Sequence, residues 1–189
     1  MDKSFIVKGG NIITMDSQMN IYKNYSIVIS GKTIIDILPN EEEGHKYADL
    51  ETLSAEDKVI LPGLINTHMH THLLRGFGDD QALYRDHKER IEAVGSVLSP
   101  DDAYLGALNG YSEAIKAGTT TILGLEKYSE KSYQAAKETG IRARLVPYIF
   151  DVKDWPDTLE LAEEYVKKSV ATDDPVKFWC GFDSFRSTG

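Results

Sequence analysis

From Val59 onward the sequence alternates short apolar runs with longer amphipathic segments, and few architectures accept that alternation. Val59-Ile60-Leu61-Pro62-Gly63-Leu64-Ile65-Asn66-Thr67 has the apolar character of a strand buried on both faces. Ser99-Pro100-Asp101-Asp102 is built as a helix start, with Ser99 as N-cap, proline at the first helical position and Asp102 at the capping-box position. Tyr104, Leu105, Leu108, Tyr111, Ala114 and Ile115 then recur at helical spacing until Gly118 ends the helix. Thr119-Thr120-Thr121-Ile122-Leu123 reads as the second strand, 129–138 as a helix closed by Gly140, and 141–150 as the third strand. Asp157 is expected to cap a helix running to Val170, with Glu160 three residues on, and 176–182 is expected as a fourth strand. Four strands joined through helices predict parallel βα units with right-handed crossovers.

The residues before this series read differently. Phe5-Ile6-Val7-Lys8 and Asn11-Ile12-Ile13-Thr14 flank Gly9-Gly10, a hairpin-type dipeptide. Tyr25-Ser26-Ile27-Val28-Ile29 and Lys32-Thr33-Ile34-Ile35-Asp36-Ile37 flank Ser30-Gly31, which predicts a second hairpin. Glu41-Glu42-Glu43 opens a polar stretch that reaches Lys58 and reads as a solvated loop, with His45 solvated inside it. The expected division is therefore a small β unit of four or five strands over 1–61 and a βα unit over 62–189.

Charge and cysteine content exclude several classes of function. Lysine and arginine number 21 against 30 acidic residues, a net charge of −9, which disfavours a nucleic-acid partner needing a basic face. The single cysteine, Cys180, permits no intrachain disulfide, excludes a zinc site built on P-C-x-x-C, and points to a reducing, cytoplasmic setting. The charged start Met1-Asp2-Lys3-Ser4 carries no signal-peptide pattern, and no run approaches the roughly 18 apolar residues of a membrane helix. No P-loop or G-x-G-x-x-G fingerprint opens a helix.

The chemistry-bearing motif is His68-Met69-His70, at the end of the first strand of the series. In an extended chain, residues two apart point the same way with Cα atoms about 6.6 Å apart. Two imidazoles so placed can converge on one ion through bonds of about 2.0–2.1 Å. Strand ends are also where barrel enzymes place catalytic groups. By spacing alone, a pair of solvated or core-satisfied histidines is the competing reading.

Leu61-Pro62-Gly63-Leu64-Ile65-Asn66-Thr67-His68-Met69-His70 closely resembles the segment that enters the barrel in the amidohydrolase superfamily. It is most similar to the branch of cytosine, guanine and S-adenosylhomocysteine deaminases and triazine chlorohydrolases. Leu73-Leu74-Arg75-Gly76-Phe77-Gly78-Asp79-Asp80 resembles the stretch that follows the paired histidines there, and Ala117-Gly118-Thr119-Thr120-Thr121 resembles the second barrel strand. The resemblance implies an α/β fold, a (β/α)8 TIM barrel of the metal-dependent hydrolase type. This chain would hold its N-terminal half only, preceded by part of a small β-sandwich. The strands available support that reading, since a barrel takes roughly 250 residues and about half that number follows Pro62.

The resemblance also implies a mechanism. His68 and His70 become two ligands of one divalent metal ion, with zinc the default and iron or manganese the alternatives. The metal lowers the pKa of a bound water toward 7, and the resulting hydroxide attacks an sp² carbon of a small-molecule substrate. Further ligands, histidines on the fifth and sixth strands and an aspartate on the eighth, and a proton-shuttling glutamate, are expected beyond Gly189. The leading expectation is a hydrolytic deaminase of an amino-substituted nitrogen heterocycle. The alternatives are a chlorohydrolase or cyclic amidase, or a chain that is by itself a non-catalytic fragment. Exposed sheet edges in such a fragment favour self-association, so a homo-oligomer stays open.

Three further residues are candidate substrate contacts. His72 lies about 13 Å from His68 in extended geometry, too far to share its ion unless the chain turns after His70. The interval between the second histidine and Leu73 is shorter than in the resembling enzymes, so a His70/His72 pair is a minor alternative. Arg75 can bind a carboxylate bidentately, or pair with Asp79 or Asp80 and hold the loop. Glu126, at the end of the second strand, points toward the catalytic rim by topology, with a plain loop glutamate as the alternative. His87 sits in Asp86-His87-Lys88-Glu89-Arg90 and reads as an exposed helix face, whereas Cys180 and Asp183 fall at the end of the fourth strand, where cysteine is expected to be inert packing.

Overall fold

A computed structural model describes residues 3–71, 93–149 and 157–181. The chain divides into two compact units, Met1–Pro62 and Gly63–Gly189.

In the first unit the strands are β1 (Ser4–Lys8), β2 (Asn11–Ile13), β3 (Ile21–Tyr22), β4 (Tyr25–Ser30), β5 (Thr33–Pro39), β6 (Glu51–Ser54) and β7 (Val59–Ile60), with helix α1 at Asn40–Lys46. They form one sheet of order β5-β4-β1-β6 and another of order β3-β2-β7. The second predicted hairpin is present: β4 and β5 run antiparallel with Ser30 opposite Thr33, and Gly31 takes the left-handed φ of +57° that the tight turn needs. The first predicted hairpin is not. Gly9-Gly10 instead carries the chain from one sheet to the other, since β1 pairs with β4 and β6 while β2 pairs with β3 and β7.

The polar stretch is also more ordered than expected, containing α1 and then β6. Strand β6 is polar and exposed, yet it pairs in parallel with β1, residue Phe5 opposite Glu51. Main-chain hydrogen bonding to a distant strand, not side-chain burial, makes it a strand, and no local pattern announces that. Ile6, Val28 and Leu38 form the small core of this unit.

The second unit contains β8 (Leu64–Met69), α2 (Pro100–Lys116), β9 (Thr119–Glu126), α3 (Ser129–Thr139), β10 (Arg142–Pro147), α4 (Leu159–Val170) and β11 (Val176–Phe178). The four strands pair in parallel in the order β11-β10-β9-β8, as βα alternation requires. Helix α2 has the predicted capping box: Asp102 N–H donates to Ser99 Oγ while the Asp102 carboxylate accepts from Ser99 N–H. Ala107 and Tyr111 of α2 and Ala135 and Ala136 of α3 pack with Ile122, Ala143, Leu145, Val176 and Phe178 of the sheet, and the small alanines let helices and sheet approach closely.

Two expectations in this unit need correction. The apolar run beginning at Val59 is two strands: β7 belongs to the first unit and β8 to the second, separated by Leu61-Pro62-Gly63. Proline cannot donate to a ladder, and a Cβ on Gly63 would lie 2.1 Å from Thr120 Oγ1. Nor is β8 buried on both faces. It is an edge strand among the described residues, with Leu64 58% and Ile65 68% exposed.

The second correction concerns Asp157. Thr158 caps α4 through its side chain, which accepts from Leu161 N–H. Asp157 serves the preceding helix, accepting from Ser129 N–H and Oγ–H at the start of α3. The residue before α3, Tyr128, is left-handed (φ 55°) and offers no side-chain cap, so the orphan N–H of Ser129 takes a partner 28 residues away.

Candidate metal centre

Both histidines of the motif lie at the end of β8, and a local irregularity aims them. Along the β8–β9 pair, Asn66 stands opposite Ile122 but Met69 stands opposite Gly124, so β8 carries one extra residue between these points. Such a bulge bends the strand and redirects side chains. Asn66 supports it by accepting from His68 N–H through Oδ1 at 3.1 Å. The outcome is that His68 Nε2 and His70 Nε2 lie 3.0 Å apart with their rings nearly perpendicular, at 82°. Two bonds of about 2.05 Å at a tetrahedral angle would separate the nitrogens by about 3.3 Å, so the pair already has the spacing of two ligands on one ion.

The donor chemistry fits as well. His70 Nδ1 lies 2.9 Å from the carbonyl oxygen of Leu125. A carbonyl can only accept, so Nδ1 is the donor of this bond, and Nε2 is the ring nitrogen that meets His68 Nε2. A second ring nitrogen donating to a backbone carbonyl is the usual support of a metal-binding histidine. Tyr148, just after β10, closes on the His70 ring edge-on, with centroids 5.9 Å apart. Among the described residues no third histidine, cysteine, aspartate or glutamate completes the set.

Glu126, a candidate substrate contact with a plain loop glutamate as the alternative, ends β9 and is wholly buried. Its Oε2 accepts from Thr71 N–H at 3.1 Å and Thr71 Oγ1–H at 2.8 Å, and its Oε1 accepts from the Tyr111 hydroxyl at 3.3 Å. Burial, then the Glu126 charge, pushes the Tyr111 phenol well above its ordinary range, so it remains a donor. Lys127 beside it is also buried and donates to the Gly95 carbonyl; burial lowers its pKa while the Asp157 charge opposes that. Burial pushes the Asp157 carboxyl up to about 6, against the lowering effect of its bonds to Ser129 and Tyr128 and with a smaller upward push from Glu126.

His72, Arg75, Asp79, Asp80, His87 and Asp183 lie outside the described residues. Cys180 is exposed and unbonded, not packed inside. Sequence reasoning missed the supporting groups. Asn66 carried a local signal, an Asx residue two before the histidine. Thr71, the Leu125 carbonyl and the hydroxyl of Tyr111 carried none, since their partners are distant in sequence. Among the described residues no helix is long and apolar enough to cross a membrane.

The chain is similar to a 5-methylthioadenosine/S-adenosylhomocysteine deaminase of Halothermothrix orenii, 32% identical over 85% of this chain and 38% of the relative. It is also similar to a 5'-deoxyadenosine deaminase of Methanosarcina acetivorans, 34% identical over 74% of this chain and 32% of the relative. The chain thus spans about a third of the length of these curated relatives. In fold it matches an adenosine deaminase of Xanthomonas campestris solved with bound zinc, at a TM-score of 0.84 and 23% identity over 95% of this chain and 43% of that one. It also matches a guanine deaminase of C. acetobutylicum, at a TM-score of 0.79 and 20% identity over 99% and 48%. A sequence profile matches residues 59–179, the stretch that carries both histidines and all four parallel strands, and by that match the chain belongs to the Amidohydrolase family.

Proposed function

We propose that this chain is the N-terminal half of a metal-dependent hydrolase barrel, preceded by part of a small β-sandwich, in a protein that hydrolytically deaminates an amino-substituted nitrogen heterocycle of the nucleoside type. The observation that carries the reading is the convergence of His68 Nε2 and His70 Nε2 at 3.0 Å, with His70 Nδ1 against the Leu125 carbonyl. The names of the two curated relatives support the reaction: both are deaminases of adenosine derivatives.

His68 and His70 would hold one divalent ion, zinc by preference because imidazole suits it and a structural relative was solved with zinc. When bound, such an ion supplies a water activated near neutral pH. The chain's own contribution is to fix two ligand nitrogens before the ion arrives, through the bulge at His68 and the Leu125 carbonyl at His70. His72 and Arg75 remain the proposed substrate-facing residues of the following stretch.

The test is ammonia release by the full-length protein from a panel of aminopurine nucleosides, beside chloride release from chlorinated triazines. Ammonia from the aminopurines, abolished by His70→Ala, supports the proposal. Chloride release alone, or undiminished turnover in His70→Ala, overturns it.

A further inference from the structure

We propose that Glu126 is a positioning residue for the metal centre, acting on His70 through Thr71; the proposal rests on the reading of His68 and His70 as ligands. Two consecutive residues at the end of β9 grip the chain on either side of one bond. Leu125 takes the Nδ1 proton of His70 with its carbonyl at 2.9 Å. Glu126 takes both the main-chain N–H and the hydroxyl of Thr71, the very next residue, at 3.1 and 2.8 Å. The first contact sets which nitrogen of His70 faces His68. The second fixes the backbone that carries the ring, so the first can form.

The chemistry at Glu126 is more demanding than packing requires. A wholly buried carboxylate is costly unless its oxygens are hydrogen-bonded, and an apolar side chain of similar size would fill the same space more cheaply. Here the carboxylate accepts from Thr71 N–H, Thr71 Oγ1–H and the Tyr111 hydroxyl. The sheet also makes room for it. A Cβ on Gly124 would sit 2.8 Å from Glu126 Oε1, so glycine two residues earlier leaves the carboxylate free to fold back along the strand toward Thr71. Thr71 is itself buried, only 5% exposed, so the grip is sealed from competing water.

The experiment reads the tautomer of His70 directly, without metal. The 189-residue chain is labelled with ¹⁵N-histidine and stripped with chelator. Long-range proton–nitrogen correlations then report the protonated nitrogen of each ring, with His70→Asn identifying the His70 signals. In the unaltered chain His70 is expected as the Nδ1–H form. In Glu126→Ala the Nε2–H form is expected to rise several-fold, and affinity for Co²⁺, followed by its visible absorption, to fall tenfold or more. Glu126→Gln, which keeps one accepting oxygen, is expected to fall between, and it decides the matter if circular dichroism shows Glu126→Ala unfolded. An unchanged His70 tautomer and unchanged Co²⁺ affinity in a folded Glu126 variant overturn the positioning role. Failure of the underlying ligand reading looks different: Co²⁺ uptake by the unaltered chain would be insensitive to His68→Ala and His70→Ala, whatever the tautomer in the Glu126 variants.

Discussion

His70 presents Nδ1 to the main-chain carbonyl of Leu125 at 2.9 Å, and that contact turns Nε2 toward its counterpart on His68, 3.0 Å away. The partner is a backbone atom on the neighbouring strand, so the tautomer is set by β8–β9 register and no side-chain substitution at Leu125 removes the acceptor.

Metal binding by the 189-residue chain should depend on this pair. Among the described residues two imidazoles converge, short of the three protein ligands of a typical catalytic zinc site, so uptake of zinc should be weak. His68→Ala and His70→Ala should each lower the affinity by tenfold or more. Competition against a chromophoric chelator measures this. Tight binding that survives either substitution would show that the ion sits elsewhere.

Gly124→Ala should disturb the site from two residues away. The new methyl would lie 2.8 Å from Glu126 Oε1, forcing the carboxylate off Thr71. Crowding of this kind in a packed interior costs about 1–3 kcal/mol. The double variant with Glu126→Ala should recover part of that loss, since the clash then has no partner, and the non-additivity is read from urea unfolding of all four chains.

Asp157 should give the unfolding profile a signature between pH 4 and 6. Its carboxyl is raised from 3.8 to about 6 chiefly by burial, so the folded state binds the proton more tightly than the unfolded chain. The stabilisation is complete below about pH 4 and is lost as pH rises through 6, a fall of at most about 3 kcal/mol. Asp157→Asn keeps an oxygen for Ser129 N–H and cannot ionise, so the difference between the two chains should shrink toward low pH and favour the variant above pH 6. Histidine protonation is common to both chains and cancels in that difference. Parallel profiles across the range would show that Asp157 stays ionised throughout.

What could be read in the residues themselves is what short-range chemistry determines. The capping box of α2 needs only Ser99 and Asp102, three apart, and it forms as their side chains dictate. The turn at Gly31 needs only a residue at ease with positive φ. The alternation of strands and helices from Leu64 to Phe178 requires parallel pairing, because a helix between strands returns the chain to the same end of the sheet. It also places His68 and His70 together at a strand end.

Tertiary structure decided the rest, wherever a group's partner lies on another element. Polar Glu51–Ser54 is a strand only because β1 offers its main chain, and Asp157 serves α3 because Tyr128 leaves Ser129 N–H uncapped. Glu126 looked like a rim residue because strand position shows where a residue sits but not which way its carboxylate turns. Thr71, 55 residues earlier, drew it inward. The motif alone thus determined that two imidazoles stand side by side. The one-residue bulge and the register of β8 against β9 determined which nitrogens meet, because those depend on hydrogen bonds across strands that no local pattern records.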